Sequence, residues 1–194
     1  LGQILSLETG QVLSPKVREA LAQLRNQAYK MPPHQVRAVL EESCGENFLT
    51  ELKYFDITPI AAASIGQVHK CETNDGQTLA LKIQFPGIKE SINSDFRNMS
   101  FLLRNSGLIP RGINLEKILE LGRKQLHKET DYLFEAKVQQ QFAIALAQDN
   151  AFDVPKVYEA LSSQKPLAME FKNGITIEKT QNLDQKTRNR IASN

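Results

Sequence analysis

The stretch that most constrains this chain is SIGQVHKCETNDGQTLALKI, residues 64–83. Two runs carrying β-branched and apolar residues flank Asn74-Asp75-Gly76, a turn signal whose glycine accepts backbone angles that side chains resist. Together they read as an antiparallel hairpin, the clearest strand signal in the sequence. Within the second run Lys82 stands between Leu81 and Ile83. A pleated strand buries those two on one face and turns Lys82 to the other, beside Ala80. A lysine in mid-strand is either an edge or snorkelling residue with its head in water or an ammonium presented to a ligand.

Immediately before the first run come Ala61, Ala62, Ala63 and Ser64. A turn lying over phosphates needs residues with little or no side chain, so that backbone N–H groups approach the oxygens. Three alanines and a serine meet that size requirement. They lack glycine's freedom at positive φ, so such a loop is more restricted in shape, and Gly66 alone keeps full freedom. The same alanines also suit a position packed beneath helices.

Around this hairpin the order of elements is α+β. Ser14-Pro15 opens a helix expected from about Pro15 to Tyr29, the hydroxyl capping and the proline in the first turn. Pro32-Pro33 breaks it, a second helix with Val36, Val39 and Leu40 follows, and residues 44–59 look irregular. Pro86-Gly87 ends the hairpin, after which helical spacing returns over Ser94 to Leu103 and Leu115 to about Leu146, with Gly122 marking a bend or break and Val138, Phe142 and Ala145 on an apolar stripe. VPKVYEAL and PLAMEF are short strand candidates, Asn173-Gly174 a turn, and the final residues a polar helix.

Composition excludes several functions. With 24 Lys+Arg against 22 Asp+Glu in 194 residues the net charge is +2, and no run of like charge marks a nucleic-acid partner. Cys44 and Cys71 lack a CxxC spacing, so no disulfide framework or zinc site is indicated and a reducing compartment fits better. His34, His69 and His127 show no metal spacing, and there is no GxSxG. No run of about 18 apolar residues spans a membrane. The start lacks an initiator methionine and a signal peptide, and the end stops in an uncapped polar segment, so the chain reads as part of a longer protein.

The remaining chemistry lies in HKETDYLFEAKVQQQF, residues 127–142. On a single helix Asp131 and Glu135 are one turn apart on one face, and Glu129 lies almost opposite Asp131. Either of the first two carboxylates could pair with Lys82. A solvated helix face carrying routine charge pairs is the plainer reading.

Taken in order, LGQILS, PIAAASIGQVH, LALKIQFPGI, SINSD and KETDYLFEA resemble the amino-terminal half of the UbiB/ADCK family, atypical protein-kinase-like proteins of ubiquinone biosynthesis. The resemblance covers the whole chain. It implies a protein-kinase-like N-lobe, a small antiparallel sheet with an αC-type helix, and a helical extension packed over the nucleotide cleft. By this resemblance residues 1–57 form the extension, 58–172 the lobe up to the hinge, and 173–194 the start of a second lobe. Gly2 and Gln3 resemble the end of the family's KxGQ motif. Ala61 to Ser64 match its alanine-rich loop, Lys82 its phosphate-anchoring lysine and Glu135 the helix partner of that lysine. Glu129 and Asp131 match its ExD motif, whose glutamate faces the extension. Glu170 and Phe171 match hinge positions that offer backbone groups to adenine, with Met169 near the inner wall.

The family continues into a catalytic loop and a metal-binding Asp-Phe-Gly-like segment, which by this alignment fall beyond Asn194. The resemblance therefore implies a parent that binds ATP and Mg²⁺ and acts as an atypical kinase or ATPase, with the metal ligands outside these residues and the 194 residues alone inactive. It also implies a place at a membrane, either the cytoplasmic face of a bacterial inner membrane or the matrix side of the mitochondrial one, with membrane lipid or ubiquinone-biosynthesis proteins as partners. A rival of another class is a non-catalytic pseudokinase module that holds a lipid or a partner protein.

Overall fold

The structure is a computed structural model, which describes residues 30–63, 65–107, 112, 114–175, 180 and 182–192. The helix expected over Pro15 to Tyr29, Gly2, Gln3 and Ser64 lie outside the described residues.

Among the described residues five helices and five strands follow in the order α1 (Pro33–Cys44), a 3₁₀ turn (Phe48–Glu51), β1 (Leu52–Phe55), β2 (Ala61–Ala62), β3 (Gly66–Thr73), β4 (Thr78–Gln84), α2 (Ile88–Asn105), α3 (Leu115–Glu129), α4 (Tyr132–Ala145), a 3₁₀ turn (Glu159–Leu161), β5 (Pro166–Glu170) and α5 (Gln185–Ala192). The strands make one antiparallel sheet in the order β1-β3-β4-β5, with the two-residue β2 also on β3. The hairpin forms as its sequence requires. Gly76 takes φ +84 at the turn, and Thr73 and Gln77 close it through a 3.0 Å N–H to carbonyl bond.

Alternation along β3 and β4 sends side chains to two faces, and each has its own core. Leu79, Leu81 and Ile83, with Cys71 and Ala168, pack against Met31, Val36, Val39 and Leu40. Pro33 at the first helical turn and Gly45 at the C-cap delimit α1, and the Val36-Val39-Leu40 stripe is the face that it buries. Met31 and α1 thus cover the sheet face away from Lys82. On the other face Leu167, Ile65 and Val157 meet Ile92, Phe96, Leu119, Leu126, Tyr132 and Ala136 from α2, α3 and α4. Each aliphatic side chain buried in these layers contributes roughly 1.5–3 kcal/mol.

Four local readings differ from the structure. Residues 52–55, expected to be irregular, form a strand on β3, because a buried Leu52 at the sheet edge is worth pairing. Gly122 neither bends nor breaks α3. A Cβ there would lie 3.3 Å from the Phe96 ring, so the glycine lets α2 and α3 approach closely. The break falls instead at Thr130 and Asp131, where Thr130 closes α3 and Asp131 caps α4. Finally, VPKVYEAL makes a single bridge, Val157 to Met169, and the second 3₁₀ turn rather than a strand. The expected apolar stripe of α4 is also less buried than its spacing suggests: Tyr132 and Ala136 are its buried residues, and Phe134, Phe142 and Ile144 are exposed.

Candidate nucleotide site

Lys82 emerges from the centre of β4, between β3 and β5, on the face that α4 covers. Its Nζ donates to both oxygens of Glu135, at 2.7 and 2.8 Å. The lysine side chain is 17% exposed and the glutamate 34%, so the pair is partly shielded but still open to solvent on the carboxylate side. An ammonium bridging two carboxylate oxygens is a charge-assisted contact, shorter and stronger than a neutral hydrogen bond. A second contact comes from Tyr132, whose ring centroid lies 4.6 Å from the same Nζ. Tyr132 is fully buried; burial first, then the nearby Glu135 and Glu129 carboxylates, push its phenol pKa upward, against a smaller opposing effect of Gln84.

The placement of these groups follows from the α3–α4 junction. Asp131 accepts the Phe134 N–H at 3.0 Å, a side-chain N-cap that satisfies one of the first orphan donors of α4. With the helix start fixed there, Tyr132 and Glu135 stand three residues apart and share the face that meets β4. Gln84, two residues beyond Lys82 on β4 and buried, donates to the Thr130 carbonyl at 3.1 Å, tying the junction to the lysine's own strand. One turn past Glu135, Gln139 donates to Pro155 O at 2.7 Å and lies 3.9 Å from Met169 Sδ, joining α4 to β5.

Of the two carboxylates that could pair with Lys82, the structure selects Glu135, because Asp131 is occupied as a cap. The single-helix geometry for Glu129 and Asp131 does not hold: Glu129 ends α3, Asp131 precedes α4, and the turn between them separates the two. Glu129 takes a 3.4 Å bond from Gln125.

Ala61 and Ala62 are strand rather than buried filler. They pair with Val68 and Gln67 and are exposed, and Ala63 donates its N–H to Gly66 O at 2.9 Å. No described residue other than glycine has positive φ, so the alanines carry no strain. Gly66 itself is not at positive φ. It is a glycine because a Cβ there would sit 2.2 Å from the Ile83 carbonyl oxygen, where β3 crosses β4.

At the far end of the sheet, the N–H of Glu170 bonds Lys156 O at 2.8 Å and that of Phe171 bonds Thr78 O at 3.0 Å. Both backbone N–H groups are thus already engaged. The Glu170 side chain turns to Lys172 at 2.8 Å, and that ammonium holds its carboxyl below the usual range. Lys70, two residues past Val68 on β3, sets its Nζ 4.9 Å from the Phe171 ring.

A half-buried cation held by a carboxylate at mid-sheet, a small-residue strand nearby and a carbonyl-bearing strand end define a kinase-like amino-terminal lobe. The ABC1 atypical kinase-like domain matches residues 23–194, and the chain belongs to that family, the UbiB/ADCK proteins. It is 39% identical over 194 residues to the mitochondrial atypical kinase COQ8 of Saccharomyces cerevisiae, covering 100% of this chain and 39% of that protein. To mitochondrial COQ8B of Danio rerio it is 38% identical over 194 residues, covering 100% of this chain and 31% of the relative. Among solved structures, Rv3197 of Mycobacterium tuberculosis in complex with erythromycin matches with TM-score 0.66 and 30% identity, over 97% of this chain and 48% of that one. The chain thus spans less than half the length of each of these relatives.

Tyr132, Gln84 and Gln139 escaped the sequence reading. Tyr132 had a signal in principle, an aromatic three residues before Glu135 and so on the same helical face. Gln84 and Gln139 had none, since a glutamine with a buried partner looks like any polar residue in one dimension.

Proposed function

We propose that these residues form the nucleotide-facing lobe of an ATP-binding atypical kinase or ATPase. The observation that carries this reading is Lys82 held at mid-sheet by both oxygens of Glu135. Lys82 would reach the α- and β-phosphates, Glu135 would orient it, and Ala61, Ala62, Ala63 and Ser64 would cover the phosphates. The carbonyls of Glu170 and Phe171 would accept from an exocyclic amine such as that of adenine, with Met169 at the inner wall. Gln3 would belong to the guarding extension, and Glu129 would face it. The chemistry of this donor set suits a triphosphate: a shielded ammonium on one side, small side chains on the other.

Mg²⁺ would accompany the nucleotide. Among the described residues no group of three or more His, Cys, Asp or Glu side chains is placed to hold a metal, so its ligands are proposed to lie in the rest of the parent protein. The names of the mitochondrial COQ8 relatives support a mitochondrial place, and the family resemblance adds a role in ubiquinone biosynthesis at a mitochondrial or bacterial inner membrane, near lipid or biosynthetic partners. Among the described residues no helix is long and apolar enough to cross a membrane. No nucleic-acid partner is proposed.

A pseudokinase-type module that holds nucleotide without phosphoryl transfer is the second reading. It is favoured by the loop itself, where Ile60 and Ala63 spend their N–H groups on Val68 O and Gly66 O rather than turning them toward a phosphate. Titration of the parent protein with MgATP, wild type against Lys82→Met, tests the first reading. Weakening by about tenfold or more is expected for loss of a charged phosphate contact. Unchanged affinity would remove Lys82 as anchor, and binding without turnover in the intact parent would favour the second reading.

A further inference from the structure

We propose that Tyr132 is a positioning residue for Lys82, and that its ring, rather than its hydroxyl, performs that role. The contact stands on geometry alone; its consequence for nucleotide rests on the reading of Lys82 as a phosphate anchor. Tyr132 is among the largest fully buried side chains of the molecule. A buried tyrosine ordinarily finds a partner for its hydroxyl, yet among the described residues this oxygen makes no hydrogen bond of good geometry, and the Gln84 side chain beside it only partly offsets the rise in its pKa. A hydrogen bond of good geometry therefore does not account for the phenol in this place. The ring does: its centroid lies 4.6 Å from Lys82 Nζ, within the distance at which an ammonium is attracted to an aromatic face, and the surroundings are shielded enough to strengthen that attraction.

Two holds constrain more than one. The lysine stem is flexible, with a compact ammonium at its tip, and a carboxylate that is one-third exposed leaves that tip free to swing about the Glu135 oxygens. The ring attracts the same nitrogen from a different atom set. Both holders come from one face of α4, whose start the Asp131 cap fixes. The Gln84 bond to Thr130 O keeps that start beside β4. The ammonium is then directed as a unit with the helix terminus.

The test reads Lys82 directly, without nucleotide. In the whole parent protein, the rate at which an amine-directed acylating probe modifies Lys82 is followed by peptide mass spectrometry for wild type, Tyr132→Phe and Tyr132→Leu. Phenylalanine keeps the ring and should react within about twofold of wild type, while leucine should react roughly five- to tenfold faster. Phenylalanines of increasing fluorine content at position 132 keep the ring's shape while draining its face of charge, and the rate should climb with each fluorine. Equal rates for the leucine and phenylalanine variants, or a flat fluorine series, would overturn the proposal. The fluorine series decides it even if the leucine variant fails to fold. MgATP affinity measured on the same proteins should fall for leucine and hold for phenylalanine. If wild type bound no nucleotide, the anchor reading would fall, while the labelling rates would still decide the role of the ring.

Discussion

Glu135 and Lys82 lie 53 residues apart in sequence, and in the fold both carboxylate oxygens sit within 2.8 Å of the lysine Nζ. Glu135→Gln keeps the shape and one acceptor but removes the charge, so the lysine retains a neutral hydrogen bond worth about half as much. MgATP affinity of the parent should drop roughly five- to tenfold for Gln and further for Ala, with an unchanged circular dichroism spectrum. An affinity indifferent to both substitutions would mean that the pair is only structural.

Asp131 sits beside this pair and does different work. As the N-cap of α4 it should cost about 1 kcal/mol of stability when changed to Ala and only a few tenths when changed to Asn, which caps equally well. Urea unfolding of the two variants measures this. If Asn were as damaging as Ala, the carboxylate charge rather than the cap would be what the position requires.

How far the sequence carried this site depends on the range of the interactions. The hairpin was legible because alternation and Asn74-Asp75-Gly76 are local, and Leu81 and Ile83 against Lys82 follow from the pleat. The choice of Glu135 over Asp131 came from the family resemblance and not from helical spacing, since it turns on a break at Thr130-Asp131 that the regular spacing on either side hides. Gly122 misled for the converse reason: a glycine inside a helical pattern signals either a break or a close approach, and only the Phe96 ring packed against it distinguishes them. The strand at Leu52–Phe55 owes its existence to β3, a partner its own four residues cannot announce.

Gly66 makes the same distinction testable. A methyl group there meets the Ile83 backbone carbonyl at 2.2 Å, and two hydrogen-bonded strands have little room to part. Gly66→Ala should therefore destabilise by about 3 kcal/mol, seen as a lowered midpoint in urea with little change in slope. A neutral outcome would show that the hairpin can open at this crossing.

The two cysteines should differ in reactivity. Burial pushes the Cys71 thiol up to about 11, so near pH 8 it stays protonated as well as inaccessible. Cys44 is raised too, chiefly by partial burial and with a smaller push from Glu51, while its contact with Ser163 works against them. A thiol reagent should modify Cys44 slowly in the native protein and Cys71 only on unfolding. Fast native labelling of Cys71 would mean that the sheet face under α1 opens readily.

The last prediction concerns how α1 is tied to that face. Gln67 accepts the Met31 N–H at 2.9 Å through its carbonyl oxygen; its amide lies 2.8 Å from His69 Nε2, and His69 Nδ1 lies 2.8 Å from the Asp56 carbonyl. This relay is satisfied when Nδ1 carries the proton and Nε2 accepts from the Gln67 amide, so the imidazole is neutral. Burial lowers the His69 pKa, against the raising effect of Asp56, and a proton on Nε2 would confront the Gln67 amide hydrogens. Since the folded pKa lies below the unfolded value of about 6.5, the unfolded chain binds the proton first. Stability should be level above about pH 7 and fall as pH drops below about 6.5, by at most ~1.4 kcal/mol for each unit of the shift. His69→Phe, which keeps a ring to stack on Phe55, should be less stable at neutral pH because the Gln67 amide loses its acceptor, yet flatter against pH. Urea midpoints taken between about pH 5 and pH 8 check both, and an equal acid slope in the variant would move the pH dependence to another group.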